Sequence, residues 1–445
     1  MNFLVGAMFV SVFGAGFLVR NADVVHPYFT LLPELMTAVC LLVVIGRVLG
    51  GKDITLDWRY VVFFALFFFV LLFGFLVQSM SAGAVISGLR GYVKFIPFFL
   101  LPIVYPFTPR QLKGQLAVLL TILLLQSPLA VYQRFVEFGD RMHTGDPVRG
   151  MATSSSSLSM LMVCVIVLLV SAYYRRRIRL PFLLAATAVF FLPTTLNETK
   201  GTLVMLPVAL LLPAFLMPSG SKPMRRVIAV AIVGAVAGLA FVTAYDYFIQ
   251  YREHGKPLET FFTEGHVRHY LYTGADPTDE RAIGRFDSIS LAVETISRDP
   301  ITLAFGLGAG NVSPSSLPGF EGEYAHYFER YGVALTQITN FLWEVGFVGL
   351  AAYLLMYLLV FQDALVLARR DASFGLLGQV WGTVTVLMGM ALFYKSVFSM
   401  NEIGYLFWFY SGVVASKACA WRRLAARRRS GLVRPGLRAY REAEA

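Results

Sequence analysis

Charged residues and cysteines are scarce in this sequence of 445 residues. Only 15% of the residues are charged and 57% are hydrophobic, and the mean hydropathy of +0.65 lies outside the range of ordinary water-soluble domains. Cys40, Cys164 and Cys419 fall in or beside apolar runs without paired spacing, so we expect neither disulfides nor a metal site from them. These shortages predict a membrane protein whose stability depends on helix packing and backbone hydrogen bonding.

Apolar runs long enough to cross a membrane recur along the whole chain. The first run begins without a basic segment and ends without a small-residue cleavage site, so we expect a transmembrane helix and not a removed signal peptide. The runs predict an all-α polytopic membrane protein with about twelve transmembrane helices, near residues 2–19, 29–48, 60–78, 84–106, 114–133, 158–174, 180–196, 202–218, 227–245, 341–362, 376–395 and 402–418.

A polar segment from Asp246 to about Asn340 interrupts these runs. It contains thirteen acidic and seven basic residues, although the whole chain has a net charge of +11. The pattern predicts helices one to nine over 1–245, a large, partly helical loop domain over 246–340, helices ten to twelve over 341–418, and a basic tail over 419–445.

Basic residues concentrate in alternate short connections between the apolar runs. By the positive-inside rule, this bias places both termini in the cytoplasm and the long loop on the outer side of the membrane. The tail carries eight arginines between Arg422 and Arg441. We expect them to anchor the topology and attract anionic lipid, and we expect no nucleic-acid binding.

Two local patterns stand out within the long loop. Asp276-Pro277 is typical of a helix start, and apolar residues then recur at three- and four-residue spacing at Phe286, Ile289, Val293 and Ile296. The pattern predicts an amphipathic helix outside the membrane, with Arg285 beside its apolar face. The glycine-rich segment 306–310 lacks the strand context of a nucleotide-binding loop and predicts a tight turn.

Several basic residues lie where charge is costly, near the outer ends of predicted spans. Arg90 and Lys94 are four residues apart on the fourth span, and Lys200 lies between spans seven and eight. Each could simply extend to the lipid headgroups. Together with Arg285, and with Arg134, Arg141 and Arg149 in one loop, they predict a cationic site for a lipid-attached diphosphate or other acidic head group. Lys395 and Glu402 bracket another short outer connection.

The six histidines offer one candidate base. His266 and His269 could share a helical face, but no cysteine or carboxylate cluster accompanies them, so no metal is expected. His326 lies among tyrosines and acids shortly before the chain re-enters the membrane. It could act as a general base toward a hydroxyl group, or it could be structural.

Four short patches resemble the superfamily of O-antigen ligases and O-antigen polymerases, which transfer lipid-linked glycans in bacteria. They are 195–201 (TLNETKG) before a span, Gly284-Arg285 opening the amphipathic helix, Asp299-Pro300 before the glycine-rich segment, and 340–349 (NFLWEVGFVG) after the loop. The resemblance covers about residues 180–360, and elsewhere it consists of topology alone. The order and spacing of the patches carry more weight than any single one.

The resemblance implies a cofactor-free and metal-independent inverting glycosyl transfer from an undecaprenyl-diphosphate-linked sugar. The reaction would take place at the periplasmic face of the bacterial inner membrane. Arg285 matches the arginine of the family. The sequence departs at Lys200, where the family has an arginine, and near Leu335-Thr336, where the family has a histidine followed by asparagine.

By this resemblance, Arg285 and Lys200, helped by Arg90 and Lys94, would bind the diphosphate. His326, or else Glu323 or Glu329, would accept the proton of the attacking hydroxyl group.

Three classes of function remain open. The protein could polymerise lipid-linked repeat units, or, as a close variant, transfer a finished glycan to lipid A-core or protein. The missing histidine-asparagine pair favours the polymerase slightly. It could instead be a flippase for a lipid-linked oligosaccharide, although its two halves look unlike. A structural subunit of an envelope complex, docking through its loop, is the third reading.

Overall fold

Every regular element in the described part of the chain is helical. A computed structural model describes residues 1–21, 26–51, 53–139, 145–218, 224–249, 258–272, 283–315, 319–328, 331–396 and 400–430. No β-strand occurs within these ranges. The chain therefore has the all-helical architecture that its apolar runs predict.

Ten α-helices precede the predicted loop domain, four lie within it and three follow. The first ten are α1 (Asn2–Asn21), α2 (Leu32–Leu49), α3 (Trp58–Val77), α4 (Ala82–Val93), α5 (Ile96–Val104), α6 (Pro109–Tyr132), α7 (Ser155–Tyr174), α8 (Leu180–Leu196), α9 (Gly201–Phe215) and α10 (Met224–Ile249). The others are α11 (Glu264–Leu271), α12 (Arg285–Ile296), α13 (Pro300–Phe305), α14 (Ala325–Phe328), α15 (Gln337–Arg370), α16 (Gly375–Tyr394) and α17 (Asn401–Arg429).

Eight helices of the described chain are long and apolar enough to cross a membrane, namely α1, α2, α3, α6, α7, α10, α15 and α16. The pair α4 and α5, bent by 45°, is a ninth candidate. Helices α8 and α9 are apolar but shorter, with 17 and 15 residues. The protein is therefore a multi-pass membrane protein, and each apolar run predicted from the sequence falls on one of these helices or on α17.

The helices define two ends of the bundle. At one end α1 stops and α7, α9 and α17 begin, and Arg20 of α1 donates to the carbonyl of Met151 before α7 at 3.2 Å. We call this the loop end. At the opposite end α3 begins and α15 and α17 stop, and their side chains meet in a network of ions. We call this the tail end.

The core is rich in aromatic side chains that contact one another in tilted and edge-to-face arrangements. Helices α5 and α17 lie close together, with ring centroids 4.8 Å apart for Phe98 and Phe409 and 4.7 Å apart for Phe95 and Tyr405. A side chain at Gly412 would overlap the backbone of α5, so glycine permits this approach. Small residues at contacts between membrane helices commonly serve this purpose.

The glycine-rich segment after α13 packs against a break in α15. Gly346 has φ +63°, which interrupts the helix and frees carbonyl oxygens that would otherwise accept bonds within it. The N–H groups of Leu307 and Gly308 donate to Trp343 and Glu344 at 2.7 and 3.0 Å. Gly306 has φ +74° and lies against the backbone of α15, where a side chain would clash. The segment therefore forms a turn that also packs against the membrane helix α15.

Two predicted boundaries are corrected. The amphipathic helix begins at Arg285 and not at Asp276, because residues 283 and 284 are not helical. Asp276 and Pro277 themselves lie outside the described residues. Helix α17 continues to Arg429, beyond the position 419 at which the tail was predicted to start.

Candidate functional site

Arg285 is held at the loop end by the last residue of α16. Its Nε donates to the carbonyl oxygen of Tyr394 at 3.2 Å, and its guanidinium carbon lies 5.4 Å from the centre of the Tyr394 ring. A positive charge is favourable at a helix C-terminus, where carbonyl groups lack partners. The first residue of α12 is therefore fixed against the membrane helices, as its position beside the apolar face suggested.

Lys200 directly precedes α9, and its ammonium nitrogen lies 5.7 Å from the centre of the Tyr245 ring. A Cβ atom at the next residue, Gly201, would lie 2.9 Å from Cζ of Tyr394. Glycine therefore lets Tyr394 lie flat against the start of α9. Because Tyr394 contacts Arg285 as well, the structure brings Arg285 and the Lys200-Gly201 segment to the same place.

A small pocket lies beside Tyr394, between the first turns of three helices and the last turn of α16. The surface that it exposes is mostly apolar, and we call it the polar pocket for the polar side chains among its lining residues. Its polar lining comes from the starts of α7 and α9, and Met400 and Ile403 at the start of α17 close one side; the residues with polar side chains are Ser156, Ser159, Thr199, Thr202, Tyr394 and Lys395. A helix N-terminus carries about half a positive charge and unpaired N–H groups. Three such termini around one pocket favour an anionic ligand.

Two hydroxyl groups in this pocket lack partners. Thr199 and Thr202 are 9% and 2% exposed, and neither hydroxyl oxygen has a hydrogen-bond partner among the described residues. Burying a hydroxyl without a partner costs about 1–3 kcal/mol. A ligand oxygen that reached either hydroxyl would accept a hydrogen bond from it. The pocket volume of about 20 Å³ admits roughly one water molecule, so a larger anion requires the flexible Lys395 side chain to move outward.

Lys395 is the cation that lines the pocket. Its ammonium group donates to Oγ of Ser156 at 3.0 Å. Burial lowers the pKa of Lys395 below the ordinary 10.5, the charges of Asp146 and Glu402 partly offset this, and repulsion from Arg285 adds to it. Lys395 and Arg285 therefore lie within electrostatic range of each other.

Glu402, in the first turn of α17, is the buried acid of this region. It is 1% exposed, and its carboxylate accepts from the N–H and the hydroxyl of Thr153 at 2.9 and 2.8 Å. Its charge acts on Lys395, Lys94 and Arg20. We define the loop-end cation cluster as Arg20, Lys94, Lys200, Arg285 and Lys395, with Glu402 among them.

Arg90 and Lys94 lie close enough for their charges to interact, but only Arg90 lies within α4. Helix α4 ends before Lys94, because Pro97 lacks the N–H that would continue the ladder and instead opens α5. Arg90 forms an ion pair with Glu34 at 2.7 Å, and Lys94 donates to Asn401 at 2.7 Å. Neither residue lines the polar pocket.

The three arginines of the predicted outer loop have separate surroundings. Arg134 is buried and forms an ion pair with Glu198 at 3.2 Å, so its charge is matched. The charge of Arg149 acts on Arg20. Arg141 lies outside the described residues. Of these three arginines, Arg149 is thus the one whose charge acts on a member of the cluster among the described residues.

His326 lies on the short helix α14 and is exposed. Its side chain is 81% accessible, and Nε2 lies 3.2 Å from a carboxylate oxygen of Glu321. Among the described residues it has no hydrogen bond or ion pair with the loop-end cation cluster. Glu323 is exposed, and Glu329 lies outside the described residues.

The tail-end ion network contains equal numbers of acids and bases. Asp363 is fully buried and accepts from Arg59 at 2.9 Å, from Arg422, and from the hydroxyl of Tyr60 at 3.0 Å. Asp57 joins both arginines, at 3.2 Å from Arg59 and 2.9 Å from Arg422. The network connects α3, α15 and α17.

Sequence reasoning identified Arg285 and Lys200 but not the pocket beside them. In the sequence, Lys395 and Glu402 could be recognised only as charged residues on either side of a short connection. No sequence pattern predicted a role for the hydroxyl groups of Thr199 and Thr202. The sequence matches no protein-family model, and no curated protein matches it. The geometry of the loop end is therefore what can support a function.

Proposed function

We propose that the protein transfers or polymerises undecaprenyl-diphosphate-linked glycan units at the periplasmic face of a bacterial inner membrane. The polar pocket carries this proposal. Three helix N-termini, Lys395 and two unpartnered threonine hydroxyls surround it, with Arg285 and Lys200 beside it. This combination suits a phosphate group held at the edge of the membrane.

The proposed topology has twelve spans, with both termini in the cytoplasm. The count of twelve includes the bent pair α4 and α5, the shorter α8 and α9, and α17. Arg59, Arg175, Arg226 and Arg370 all lie at the tail end, which supports a cytoplasmic location for that end. The loop end, with the pocket, would then face the periplasm.

In the proposed reaction, a sugar hydroxyl oxygen attacks the anomeric carbon of the lipid-linked glycan. The new carbon–oxygen bond forms as the bond to the diphosphate breaks, and the diphosphate leaves with the electron pair. Lys395, Arg285 and the helix N-termini stabilise the charge that develops on the leaving group. Lys200 contributes to this stabilisation at longer range. Arg90 and Lys94 affect the electrostatic potential of the site through their interactions with Glu34 and Glu402.

The proton of the attacking hydroxyl goes to Glu402 in this proposal. Among the described residues, Glu402 is the buried carboxylate whose charge acts on Lys395, and Thr153 fixes its orientation. The competing candidate for the role is His326, which the resemblance suggested. His326 would need the loop domain to bring it to the pocket, because in this structure it contacts Glu321.

The test is the glycan chain length in cells that carry Arg285→Ala, with Arg298→Ala as the control. Arg298 is exposed on the same loop domain and contacts none of the proposed machinery. Membrane abundance of each variant is measured alongside. We expect long polymer to disappear in Arg285→Ala while lipid-linked single units accumulate.

Other outcomes separate the alternatives. Long polymer that remains on its lipid carrier but does not reach the surface acceptor would indicate a ligase. Lipid-linked units confined to the cytoplasmic leaflet would indicate a flippase. Unchanged glycan at normal abundance would contradict the assignment of Arg285 and favour a structural subunit.

A further inference from the structure

An apolar cavity of about 210 Å³ opens between α6, α7, α16 and α17. Helix α6 packs against α1 and α8, and its other face forms one wall of the cavity. Leu116 and Leu120 project from that wall, Cys164 and Leu168 from α7, and Leu377 from α16. A cavity with such walls stays dry and favours hydrocarbon.

This cavity adjoins the polar pocket. Met160, Met388 and Ile403 line both of them. Methionine side chains are flexible and adapt to irregular apolar groups. A single ligand could therefore place a charged head in the polar pocket and a chain in the apolar cavity without crossing a polar barrier.

The cavity is longer than one leaflet of a bilayer. It extends along α16 from Phe374 to Met388, which at 1.5 Å per residue is about 21 Å. One half of the hydrocarbon core measures about 15 Å. An extended acyl chain of a phospholipid would be of similar length, so the length of the cavity admits either chain, and the adjoining polar pocket is what favours a carrier with a phosphate at that end.

We propose that this cavity holds the polyprenyl chain of the lipid carrier while its phosphate occupies the polar pocket. The proposal rests on the proposed function, because that function supplies the carrier. The competing occupant is an anionic phospholipid of the opposite leaflet, with its head group at Lys113 and Arg177, which line the tail end of the cavity. Such a lipid would place no phosphate in the polar pocket.

The test measures retention of undecaprenyl monophosphate by the purified full-length protein, using native mass spectrometry. Leu120→Trp would fill the cavity from the α6 side. Leu124→Trp is the matched control, because Leu124 lies one turn further on α6, is 48% exposed and does not line the cavity. Leu377→Trp tests the opposite wall. We expect both cavity variants to lower retention about tenfold or more, and the control to retain the probe like the wild type.

The probe carries no sugar, so binding and glycan transfer can fail separately. If Leu120→Trp and Leu377→Trp bind the probe as the wild type does, the cavity is not the chain site, whatever Arg285→Ala does to glycan. If both lower binding while Arg285→Ala leaves glycan unchanged, the chain site stands and the proposed function falls. Retention of phosphatidylglycerol that depends on Lys113 and Arg177, with no effect of Leu120→Trp on the polyprenyl probe, would assign the cavity to the phospholipid.

Discussion

The two ends of the bundle each contain a group of charged side chains, but the groups are built differently. At the tail end, two aspartates and two arginines neutralise one another, and Tyr60 satisfies the remaining oxygen of Asp363. At the loop end, five cations lie around the buried acid Glu402, with Glu34, Glu137 and Asp146 each acting on one of them, and a pocket with two unpartnered hydroxyls lies beside them. Acids and bases are equal in number in the tail-end network, whereas among the described residues the cations of the loop-end cluster outnumber these acids.

This difference separates a structural role from a binding role. Charges buried in low dielectric are costly unless they are paired, so a neutral network can persist without a ligand. A cluster with excess positive charge gains more from an added anion than from its own contacts. Substitutions at the two ends should therefore affect different properties, namely catalysis at the loop end and folding at the tail end.

The largest expected effect is on the rate of transfer in Glu402→Gln. An amide cannot accept the proton of the attacking hydroxyl, and loss of a general base lowers rates by about 10²–10⁴. The change keeps the shape and the hydrogen bond from Thr153, so the protein should fold normally. The measurement is glycan formation by purified protein from a lipid-linked donor.

His326→Ala, assayed in parallel, decides between the two candidate bases. A large loss of rate in His326→Ala, with Glu402→Gln close to the wild type, would transfer the role of base to His326. It would also require the loop domain to approach the polar pocket.

At the tail end, Asp363→Ala should destabilise the protein without altering the chemistry of the site. Removing the buried acid leaves Asp57 as the one acid of the network for both Arg59 and Arg422, which should cost about 2–3 kcal/mol because the two arginines are partly exposed. Thermal unfolding in detergent provides the measurement. Gln362→Ala is the control, because Gln362 is exposed and contacts only the rim of the network through Arg59. A variant of normal stability that no longer makes glycan would place function at the tail end instead.

Lys395 should make binding of the donor sensitive to alkaline pH. The charged ammonium is the form that binds an anion, and burial lowers its pKa below 10.5. Affinity should be full at neutral pH and fall as the pH rises through the pKa of the complex, sooner than for an exposed lysine. Lys395→Arg keeps its charge and should bind with little change over the same range.

The comparison uses KM for the lipid-linked donor, measured from neutral to alkaline pH. If the two proteins show the same alkaline loss of affinity, another group controls the titration. The assignment of Lys395 to the phosphate would then be wrong.

The smallest effect is expected from Thr202→Val, which should raise the stability of the protein but lower its affinity for the donor. Valine matches threonine in shape and removes an unpartnered hydroxyl, so the free energy of unfolding should rise by about 1 kcal/mol. Donor affinity should fall about fivefold, because one hydrogen bond to the phosphate is lost. The control is Thr385→Val, whose hydroxyl already donates to Trp381. A fall in both stability and affinity would mean that Thr202 has a structural partner.

The membrane helices could be predicted because apolar length is a local property of the chain. Each predicted run coincides with a helix, and Arg285 could be placed near the membrane by its position beside the apolar residues of α12. The number of spans stays a prediction, since α8, α9 and α17 fall short of the length or apolarity of the other helices.

The site could be predicted only in part, because it depends on contacts between distant segments. Lys395 and Ser156, which form a hydrogen bond, are 239 residues apart in the sequence, and no local pattern predicts this contact. The bend after Lys94 was not predicted, because residues 84–106 form one apolar run. Pro97 nevertheless lies in the first turn of a second helix. Likewise, the break at Gly346 depends on a distant segment, because the N–H groups of Leu307 and Gly308 donate to the carbonyl oxygens that it frees.

The most direct test of the account is a cryo-electron microscopy structure of the protein in lipid nanodiscs with undecaprenyl diphosphate. We predict density for the phosphates at the starts of α7, α9 and α17, within hydrogen-bonding distance of Lys395 and Thr202, with the chain running toward Leu120. Phosphate density at any other place on the protein, or an empty polar pocket at saturating ligand, would contradict the central claim that the loop end is the diphosphate site.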